Sequence, residues 1–568
     1  MSTRLPMPHR TARPIAWLLP YALFSAAVFA LTYWLEQNGG LAGLWWHKIL
    51  EWPLLLYLFW LFRQLLREHP AGAFLAALPI LAAYLLLDGY YLVFGRVFRL
   101  SEISELPELL DVLPRAASLA IIGAILLSLT VMVLALRRAP LHRLTFAALP
   151  LALLIGCVEL KPEWFLRGFT AAANGIIEWS DEENVRWNGR FSAILYHEAK
   201  RGAVIRAIAE HRERPEYAAR QQRALAALEA HGKPRNLHLI VYEGFVDPAR
   251  LRQLKLNRDP VHPDLRALLP NGVGYLSRSP VFGGYTAQAE FELLCGVPAL
   301  QRLGTIEFNV FSGTRVHCVP DLLRQLGYRT LASNAYKPNF FNAMQAYRGV
   351  GFEEIYFPYE YVPKLPSYFS TGDVSGEKYM FDRTLFEQNL AFIRERLNDG
   401  SGRPVLNYLL TIFGHYPFRL NEDQRPRLIH ALNKEPIDSE LLTIANQTYY
   451  RSEALAWFIK ELQQLDPDGI VLVVSDHLPP LKDRRSAYER LGYLTEHTDS
   501  TQLTLIAAYD RGQAVALEIL PQYEIPTLLY WLLTDRTYCD QPNCTPRDPD
   551  QLLRDYLQLM ARAVDKPD

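Results

Sequence analysis

The sequence carries almost no net charge and few cysteines, and both absences narrow the classes of protein to which it can belong. Lysine and arginine number 59 against 60 aspartates and glutamates, which gives a formal net charge of −1 at pH 7. The basic excess that is typical of nucleic-acid-binding proteins is lacking, so we predict no nucleic-acid partner. The five cysteines show no zinc-finger spacing.

The cysteines instead allow disulfides, provided that the chain lies outside the cytoplasm. Cys539 and Cys544 flank a Pro-Asn turn, where a small disulfide can form. Cys295 and Cys318 are either a second pair or two buried thiols. Cys157 falls within an apolar run and has no predicted partner.

Long hydrophobic runs are missing after residue 160, although five precede it. They are Pro14–Leu35, Ile49–Phe62, Ala71–Phe94, Ala116–Leu136 and Leu144–Leu160. Because a membrane-spanning helix needs about 20 mostly apolar residues, residues 1–160 predict a transmembrane domain of about five helices. Two acidic residues, Glu51 and Asp88, interrupt these runs. They are either functional or lie near helix ends beside polar neighbours.

Arginines between the runs predict the orientation of the chain. They cluster before the first run, after the second and after the fourth, at Arg4, Arg10, Arg13, Arg63, Arg67, Arg137, Arg138 and Arg143. Lysine and arginine favour the cytoplasmic side of a membrane. With an odd number of spans, everything after Leu160 is therefore predicted to lie outside the cytoplasm.

The remaining chain divides into a helical linker and a compact domain. Residues 161–236 are polar with a helical pattern, and Gly202–His231 predicts an exposed connecting helix. Over residues 237–568, short apolar runs alternate with helical stretches, which predicts a mainly parallel sheet with helices on both faces. The predicted strands are Leu237–Tyr242, Tyr328–Ala332, Val405–Ile412, Ile470–Val474 and Leu503–Ala508.

Three of these predicted strands are followed by side chains that can carry chemistry. Glu243 follows the first, His415 follows the third within TIFGHYPF, and Asp476 and His477 follow the fourth. Ligands bind beyond the carboxyl ends of the strands in such sheets. An adjacent carboxylate and imidazole can hold one Zn²⁺ or Mn²⁺ ion, and His415 can donate to a phosphate or exchange protons near neutral pH.

The segment Gly283–Phe291, with the sequence GGYTAQAEF, places a threonine at the start of a predicted helix. The glycine pair allows a tight turn and the close approach of a ligand. A helix start favours an anion such as a phosphoryl group. Thr286 is therefore either an ordinary helix N-cap or a nucleophile, and the other three motifs supply what a metal-activated threonine needs.

Together these motifs resemble the lipoteichoic acid synthase family of the alkaline phosphatase/sulfatase superfamily, over about Leu237 to Tyr530. The five-span arrangement before them is also similar. The resemblance implies an α/β sulfatase/alkaline-phosphatase-like domain after an α-helical membrane domain. It implies one divalent metal ion, Mn²⁺ first and Zn²⁺ or Mg²⁺ as alternatives, held by Glu243, Thr286, Asp476 and His477. Thr286 would be the nucleophile, and His415 would bind the phosphate or the leaving group.

The sequence departs from that family at one element. The family's Trp-Asn-Arg reads Phe341-Asn342-Ala343 here, so a bidentate phosphate clamp is missing. Asn342 and Lys337 are predicted to contact the substrate, and Arg348 is a further candidate to replace the clamp. The difference leaves both phosphoglycerol and phosphoethanolamine open as the transferred group. Gly244 also stands where the family often has serine.

The sequence thus predicts a multi-pass enzyme of the bacterial inner (plasma) membrane with its catalytic domain on the extracytoplasmic or periplasmic side. It would move a phospholipid head group through a phospho-Thr intermediate to a glycan, lipid or polymer of the cell envelope. The alternatives are a sulfatase, a phosphodiesterase or phosphatase, and a non-catalytic membrane sensor or assembly protein. A sulfatase matures a Cys/Ser-x-Pro-x-Arg segment, a pattern that Ser277-Arg278-Ser279-Pro280 lacks.

Overall fold

The computed structural model of the protein describes residues 18–45, 47–66, 71–94, 97–105, 110, 115–135, 141–176, 181–209, 211, 216–538 and 546–565. The chain divides into two compact units, residues 1–206 with 302–305 and residues 207–301 with 306–568. Several residues named above lie outside the described residues: Arg4, Arg10, Arg13, Arg67, Arg137, Arg138, Cys539 and Cys544.

The apolar runs of the first unit form helices α1 (Leu19–Gln37), α2 (Glu51–Leu65), α3 (Gly72–Phe94), α4 (Arg115–Ala135) and α5 (Leu141–Leu160). Among the described residues, Leu19–Gln37 and Gly72–Leu92 are long and apolar enough to cross a membrane. A third candidate combines Leu144–Leu160 with helix α6 (Pro162–Ala172), at a bend of 110°. Helix α2 has 15 residues, fewer than the roughly 20 that a span needs. Five spans therefore stay a prediction.

Both acidic residues of the apolar runs have protein partners within this unit. Asp88 is buried, and its two carboxylate oxygens accept hydrogen bonds from the Arg190 guanidinium at 2.6 and 2.8 Å. Glu51 accepts from the backbone N–H and the hydroxyl of Ser192, both at 2.8 Å. A buried charge is tolerated where it is paired and hydrogen-bonded. The presence of Glu51 and Asp88 in apolar runs is therefore explained by hydrogen bonds to polar neighbours near helix ends.

The polar segment forms α6, α7 (Asp181–Asn188), α8 (Arg190–Ala209) and α9 (Glu216–His231). The prediction of one exposed connecting helix over Gly202–His231 is wrong, because α8 ends within that range and α9 packs inside the second unit. The buried Tyr217 of α9 donates its hydroxyl to the carbonyls of Cys295 and His317, at 3.0 and 2.9 Å. An alanine-rich composition suits a covered helix face as well as an exposed one.

A nine-stranded sheet forms the centre of the second unit, in the order β4-β3-β5-β1-β6-β7-β2-β9, with β8 beside β7. The five parallel strands β1, β3, β4, β5 and β6 include four predicted runs, whereas β7 is antiparallel to both β6 and β2. The predicted mainly parallel sheet is confirmed. Its strands are β1 (Leu237–Tyr242), β2 (Tyr275–Arg278), β3 (Arg329–Asn334), β4 (Glu354–Tyr356), β5 (Val405–Leu410), β6 (Ile470–Ser475), β7 (Leu503–Asp510), β8 (Gln513–Ala514) and β9 (Leu520–Pro521).

Helices flank this sheet, and the central strands β1, β5 and β6 are buried along their whole length, as strands covered on both faces are. The helices are α10 (Pro263–Leu268), α11 (Thr286–Cys295), α12 (Val319–Gln325), α13 (Ala343–Val350), α14 (Asp382–Leu397), α15 (Ser439–Leu465), α16 (Arg484–Arg490), α17 (Ile525–Leu533) and α18 (Pro549–Ala563). A disulfide between Cys295 and Cys318 joins the end of α11 to the start of α12. This pair is therefore bonded rather than two thiols.

Candidate active site

The ends of two neighbouring parallel strands bring three polar side chains together. Strand β1 pairs with β6 in a register that sets Tyr242 opposite Ser475. Glu243 follows the first of these residues, and Asp476 and His477 follow the second. All three side chains are buried. One potential ligand atom from each lies within 4.8 Å of the others, so the three side chains can reach a single cation.

Thr286 completes this cluster from helix α11. Gly283 and Gly284 adopt φ angles of 68° and 142° and turn the chain into the helix. Tyr285 occupies the N-cap position and Thr286 is the first helical residue, so the interpretation of Thr286 as an N-cap is wrong. Its buried hydroxyl donates to Glu243 Oε2 at 3.0 Å and lies 3.4 Å from His477 Nε2. The hydroxyl therefore points into the cluster.

Hydrogen bonds fix which atoms of the cluster remain for a ligand. Asp476 Oδ1 accepts from the backbone N–H groups of Gly244 and His477, both at 2.8 Å. His477 Nδ1 lies 2.9 Å from the carbonyl oxygen of Leu478, to which it must donate. The neutral ring then carries its lone pair on Nε2. This nitrogen lies 3.2 Å from Asp476 Oδ2 and 3.5 Å from Glu243 Oε1.

Two carboxylate oxygens of the cluster are orphaned. Glu243 Oε1 and Asp476 Oδ2 are buried and have no hydrogen-bond partner among the described residues, which costs about 1–3 kcal/mol for a neutral group and more for a charged one. Burial and the nearby Asp476 carboxylate raise the pKa of Glu243 well above its ordinary value. A divalent cation would use both lone pairs and offset this repulsion. The mixed oxygen and imidazole donors fit Mn²⁺ or Zn²⁺.

Arg451, on helix α15, supports the site although sequence reasoning missed it. Its guanidinium is buried, donates to the carbonyl oxygen of Glu243 at 2.7 Å and pairs with Asp382 at 2.7 Å. It also lies 4.3 Å from the centre of the Tyr242 ring. Arg451 thus holds the end of β1 from which the Glu243 side chain projects. One arginine in a long helix gives no sequence signal, because these partners are 69 and 208 positions away.

Replacing Arg451 with methionine is expected to lower the free energy of unfolding by about 3–5 kcal/mol, because Asp382 then loses its buried partner. Arg451→Lys keeps the charge and is expected to lose less. Denaturant unfolding of the purified chain, followed by tryptophan fluorescence, measures both variants. A methionine variant as stable as the wild type would show that the ion pair does not support the site.

His415 lies beyond strand β5 with a defined ring orientation. The Tyr379 hydroxyl donates to the Tyr416 carbonyl oxygen at 2.8 Å. His415 Nδ1 lies 2.6 Å from that carbonyl and 3.2 Å from the Tyr379 hydroxyl, so Nδ1 is the protonated nitrogen. Burial lowers the pKa of His415 to about 4. Its Nε2 therefore carries a lone pair at neutral pH, which can accept a hydrogen bond or a proton.

This shift predicts a pH dependence. Because the pKa of His415 lies below the ordinary value of about 6.5, its base form persists as the pH falls through that value. We expect the ratio of wild-type to His415→Gln transfer rates to stay constant from about pH 5 to 8. Single-turnover rates of both proteins across this range test the expectation. A tenfold fall of the ratio below about pH 6.5 would indicate an ordinary imidazole.

The remaining residues predicted to contact the substrate lie in different surroundings. Asn342 Nδ2 donates to the carbonyls of Phe308 and Phe311, both at 2.9 Å, so this nitrogen holds the loop. Lys337 Nζ lies 5.3 Å from the centre of the Tyr336 ring, whereas Arg348 is exposed on α13. The roles of His415, Asn342 and Lys337 toward a substrate stay predictions.

The backbone conformation at position 244 explains why this chain has glycine where the family often has serine. Its φ angle is 50°, and a Cβ atom here would lie 2.8 Å from the carbonyl oxygen of Gly414. Such a contact forces the backbone to shift. A serine at this position would therefore disturb the loop that leads to His415.

Comparison with known proteins places this site within a described family. Residues 235–561 match the family model named Sulfatase. The Rhizobium meliloti (strain 1021) protein named "Putative cyclic beta-1,2-glucan modification protein" is 25% identical over 461 residues, which cover 75% of this chain and 66% of that protein. Lipoteichoic acid synthase 1 of Bacillus subtilis (strain 168) is 24% identical over 255 residues, covering 42% of this chain and 35% of that protein. The matches thus span just under two thirds of the first relative and about a third of the second.

Among solved structures, Streptococcus pyogenes phosphoglycerol transferase GacH in complex with sn-glycerol-1-phosphate has a TM-score of 0.45 and 18% identity, covering 61% of this chain and 91% of that chain. The family model itself covers more than half of this chain and includes Glu243, Thr286, His415, Asp476 and His477. The predicted resemblance is confirmed, and the chain belongs to the sulfatase family, with lipoteichoic acid synthases among its relatives.

Proposed function

We propose that this chain transfers a phosphoglycerol or phosphoethanolamine head group from a membrane phospholipid, through a phospho-Thr286 intermediate, to a hydroxyl of a cell-envelope acceptor. The observation that carries the proposal is the Thr286 hydroxyl, 3.0 Å from Glu243 and 3.4 Å from His477 Nε2. A threonine in an ordinary protein core is not expected to lie beside two buried carboxylate oxygens that lack hydrogen-bond partners.

In the first step, Thr286 Oγ1 attacks the phosphorus of the phospholipid. A bond forms from this oxygen to phosphorus, and the bond from phosphorus to the diacylglycerol oxygen breaks. The proton of the threonine hydroxyl ends on the diacylglycerol oxygen. Thr286 lies at the start of α11, where the unpaired N–H groups and the dipole of the helix favour the negative charge of the phosphoryl group.

A divalent ion bound by Glu243, Thr286, Asp476 and His477 would lower the pKa of the threonine hydroxyl and neutralise charge on the phosphoryl oxygens. Hydrogen bonds within the protein hold two of these ligands, Asp476 and His477, in position. Two backbone N–H groups hold Asp476, and the Leu478 carbonyl directs Nε2 of His477 toward the cluster. These contacts set the donor atoms in place before a substrate arrives.

In the second step, a hydroxyl of the acceptor attacks the phosphorus of phospho-Thr286. The bond between phosphorus and the threonine oxygen breaks, and the acceptor's proton ends on that oxygen. His415 is the residue that we assign to this proton transfer, because Nδ1 donates to Tyr416 and the ring is neutral. Its Nε2 can accept the proton of the incoming hydroxyl and pass it on.

The rest of the chain supports a membrane enzyme that works outside the cytoplasm. Among the described residues, two helices long and apolar enough to cross a membrane precede the catalytic unit in the sequence, which supports a phospholipid as the donor. The disulfide between Cys295 and Cys318 suits an oxidising, extracytoplasmic compartment. The name of the Rhizobium meliloti relative refers to a glucan, so we propose a glycan as the first acceptor class to test.

A threonine as the proposed nucleophile argues against the sulfatase alternative. Sulfatase maturation converts a cysteine or serine to an aldehyde hydrate. Thr286 carries a methyl group on Cβ, so the same oxidation would produce a ketone. Direct attack by the hydroxyl is the chemistry that this side chain offers.

Release of diacylglycerol from vesicles tests the proposal. The purified full chain is incubated with Mn²⁺, phosphatidylglycerol or phosphatidylethanolamine vesicles, and a soluble β-glucan. We expect the glucan to increase diacylglycerol release and to gain phosphorus. Release with an unmodified glucan would indicate hydrolysis or another acceptor. No release from either lipid would contradict the proposal.

A further inference from the structure

One buried serine hydroxyl joins the two loops that carry the proposed nucleophile and two of the proposed metal ligands. The first loop runs from the end of β2 to Thr286, and the second follows β6 and carries Asp476 and His477. Ser279 lies on the first loop and is 1% exposed. Its hydroxyl donates to the carbonyl oxygen of Asp476, with the carbonyl of Val281 as a second acceptor, and accepts from the Val281 N–H at 3.1 Å. Ser279 therefore shapes its own loop and bonds it to the other.

A second hydrogen bond connects the same two loops four residues later. The backbone N–H of Gly283 donates to the carbonyl oxygen of Leu478 at 3.1 Å. The same carbonyl accepts from Nδ1 of His477 at 2.9 Å, so one oxygen holds both the imidazole and the glycine turn before Thr286. The bonds from Ser279 and Gly283 end on the residues before and after His477. Together they fix the first loop against this ligand.

The second loop is itself held firmly by the strand that it follows. The carbonyl oxygen of Ser475, the last residue of β6, accepts from the Thr504 hydroxyl at 2.8 Å and from Gln522 Nε2 at 2.9 Å. All three side chains are buried. Satisfied buried polar networks make a structure rigid. The bond from Ser279 therefore ties the loop of Thr286 to a fixed partner.

We propose that Ser279 is a positioning residue, which sets the distance of the Thr286 oxygen from the ligand atoms of Asp476 and His477; this rests on the proposed function. Thr286 Oγ1 lies 3.4 Å from His477 Nε2, and a displacement of about 1 Å at a reacting atom can cost about 100-fold in rate. Loss of the Ser279 hydroxyl removes one of the two bonds between the loops and leaves the buried Asp476 carbonyl without this donor. The segment Ser277–Pro280, which lacks the sulfatase maturation pattern, thus serves the site through its second serine.

Ser277 offers a matched control two residues earlier. It is as buried as Ser279, but its hydroxyl lies 3.3 Å from the Thr504 hydroxyl and 3.4 Å from Gln522 Nε2, within the sheet. Ser277→Ala removes the same oxygen atom and leaves the bond between the loops intact. Both alanine variants are expected to be less stable, whereas only Ser279→Ala should place the nucleophile wrongly.

The rate constant for formation of the Thr286 adduct tests the inference. The full chain is mixed with saturating Mn²⁺ and with vesicles that contain equal amounts of phosphatidylglycerol and phosphatidylethanolamine, without an acceptor. Intact-mass spectrometry follows the adduct with time. We expect Ser279→Ala to lower the rate constant by about 100-fold at an unchanged KM for lipid, with the same final amount of adduct. Ser279→Cys, whose thiol is a weak donor, should lie between Ser279→Ala and the wild type, and Ser277→Ala should match the wild type.

The time course separates positioning from loss of the fold. A partly unfolded protein reaches a lower final amount of adduct, whereas a misplaced nucleophile reaches the same amount more slowly. A wild-type rate constant in Ser279→Ala, or an equal slowing by Ser277→Ala, overturns the inference and leaves the Thr286 chemistry standing. If Ser279→Ala does not fold, Ser279→Cys takes its place, and a wild-type rate constant there overturns the inference. A wild-type chain that forms no adduct with either lipid overturns the proposed function as well.

Discussion

Replacing Thr286 with alanine is expected to lower diacylglycerol release by a factor of about 10⁴ or more, the scale of loss when an enzyme loses its nucleophile. The physical reason is that, among the residues the structure describes, no other hydroxyl is shown bonded to the Glu243 carboxylate and close to His477 Nε2. The measurement is the initial rate of release from labelled vesicles with the purified full chain and Mn²⁺.

Thr286→Ser is the matched control for this prediction. Serine keeps the oxygen that attacks phosphorus and removes only the methyl group, so we expect at most a loss of about 10²-fold. Both variants should bind vesicles and unfold at the wild-type temperature. An alanine variant that turns over lipid at the wild-type rate would exclude Thr286 as the nucleophile.

Replacing Asp476 with asparagine is expected to prevent binding of the proposed metal ion and, with it, to remove most of the activity. The amide is nearly the same size but lacks the charge that ligates the cation, and it leaves Glu243, His477 and Thr286 as the other proposed ligands. We expect the affinity for Mn²⁺ to fall by more than about 100-fold, beyond the losses seen when only a residue behind a ligand is changed. Titration calorimetry and elemental analysis of the purified protein measure this.

Glu290→Gln is the control for the metal prediction. Glu290 lies one turn after Thr286 on helix α11, is equally buried, and accepts hydrogen bonds from Tyr347 and Tyr408. Burial raises its pKa to about 7, so a neutral amide is a close substitute near neutral pH. One metal ion per chain should remain. A metal content that survives in Asp476→Asn but not in Glu290→Gln would place the ion elsewhere.

The sequence was most informative where strands are buried and parallel. Strand β1 covers the predicted residues Leu237–Tyr242, because a strand covered on both faces is a continuous apolar run. Parallel pairing then sets the residues after β1 and β6 at one edge of the sheet. That Glu243, Asp476 and His477 lie at one edge of the sheet could therefore be anticipated from the strand ends, whereas their assignment to one metal ion came from the family resemblance.

Features that depend on distant partners could not be predicted. Strands β2 and β4, with four and three residues, are too short to show a period. Arg451 is indistinguishable in the sequence from a surface arginine, and only the fold brings it to Glu243. The alanine-rich composition of α9 also led to the wrong prediction of an exposed helix, because the C-terminal part of its own unit covers this helix. For Arg451 and for α9, the contact that determines the structure is made with a residue that is far away in the sequence.

The most direct measurement is the intact mass of the full chain after brief exposure to phospholipid vesicles and Mn²⁺, followed by peptide mapping of the adduct. We expect a single phosphate-containing head group on Thr286, its formation dependent on the metal, and its removal when a glycan acceptor is added. The Thr286→Ala variant should carry none. Lipid turnover without any adduct, or an adduct that persists in the alanine variant, would contradict a threonine nucleophile at this site.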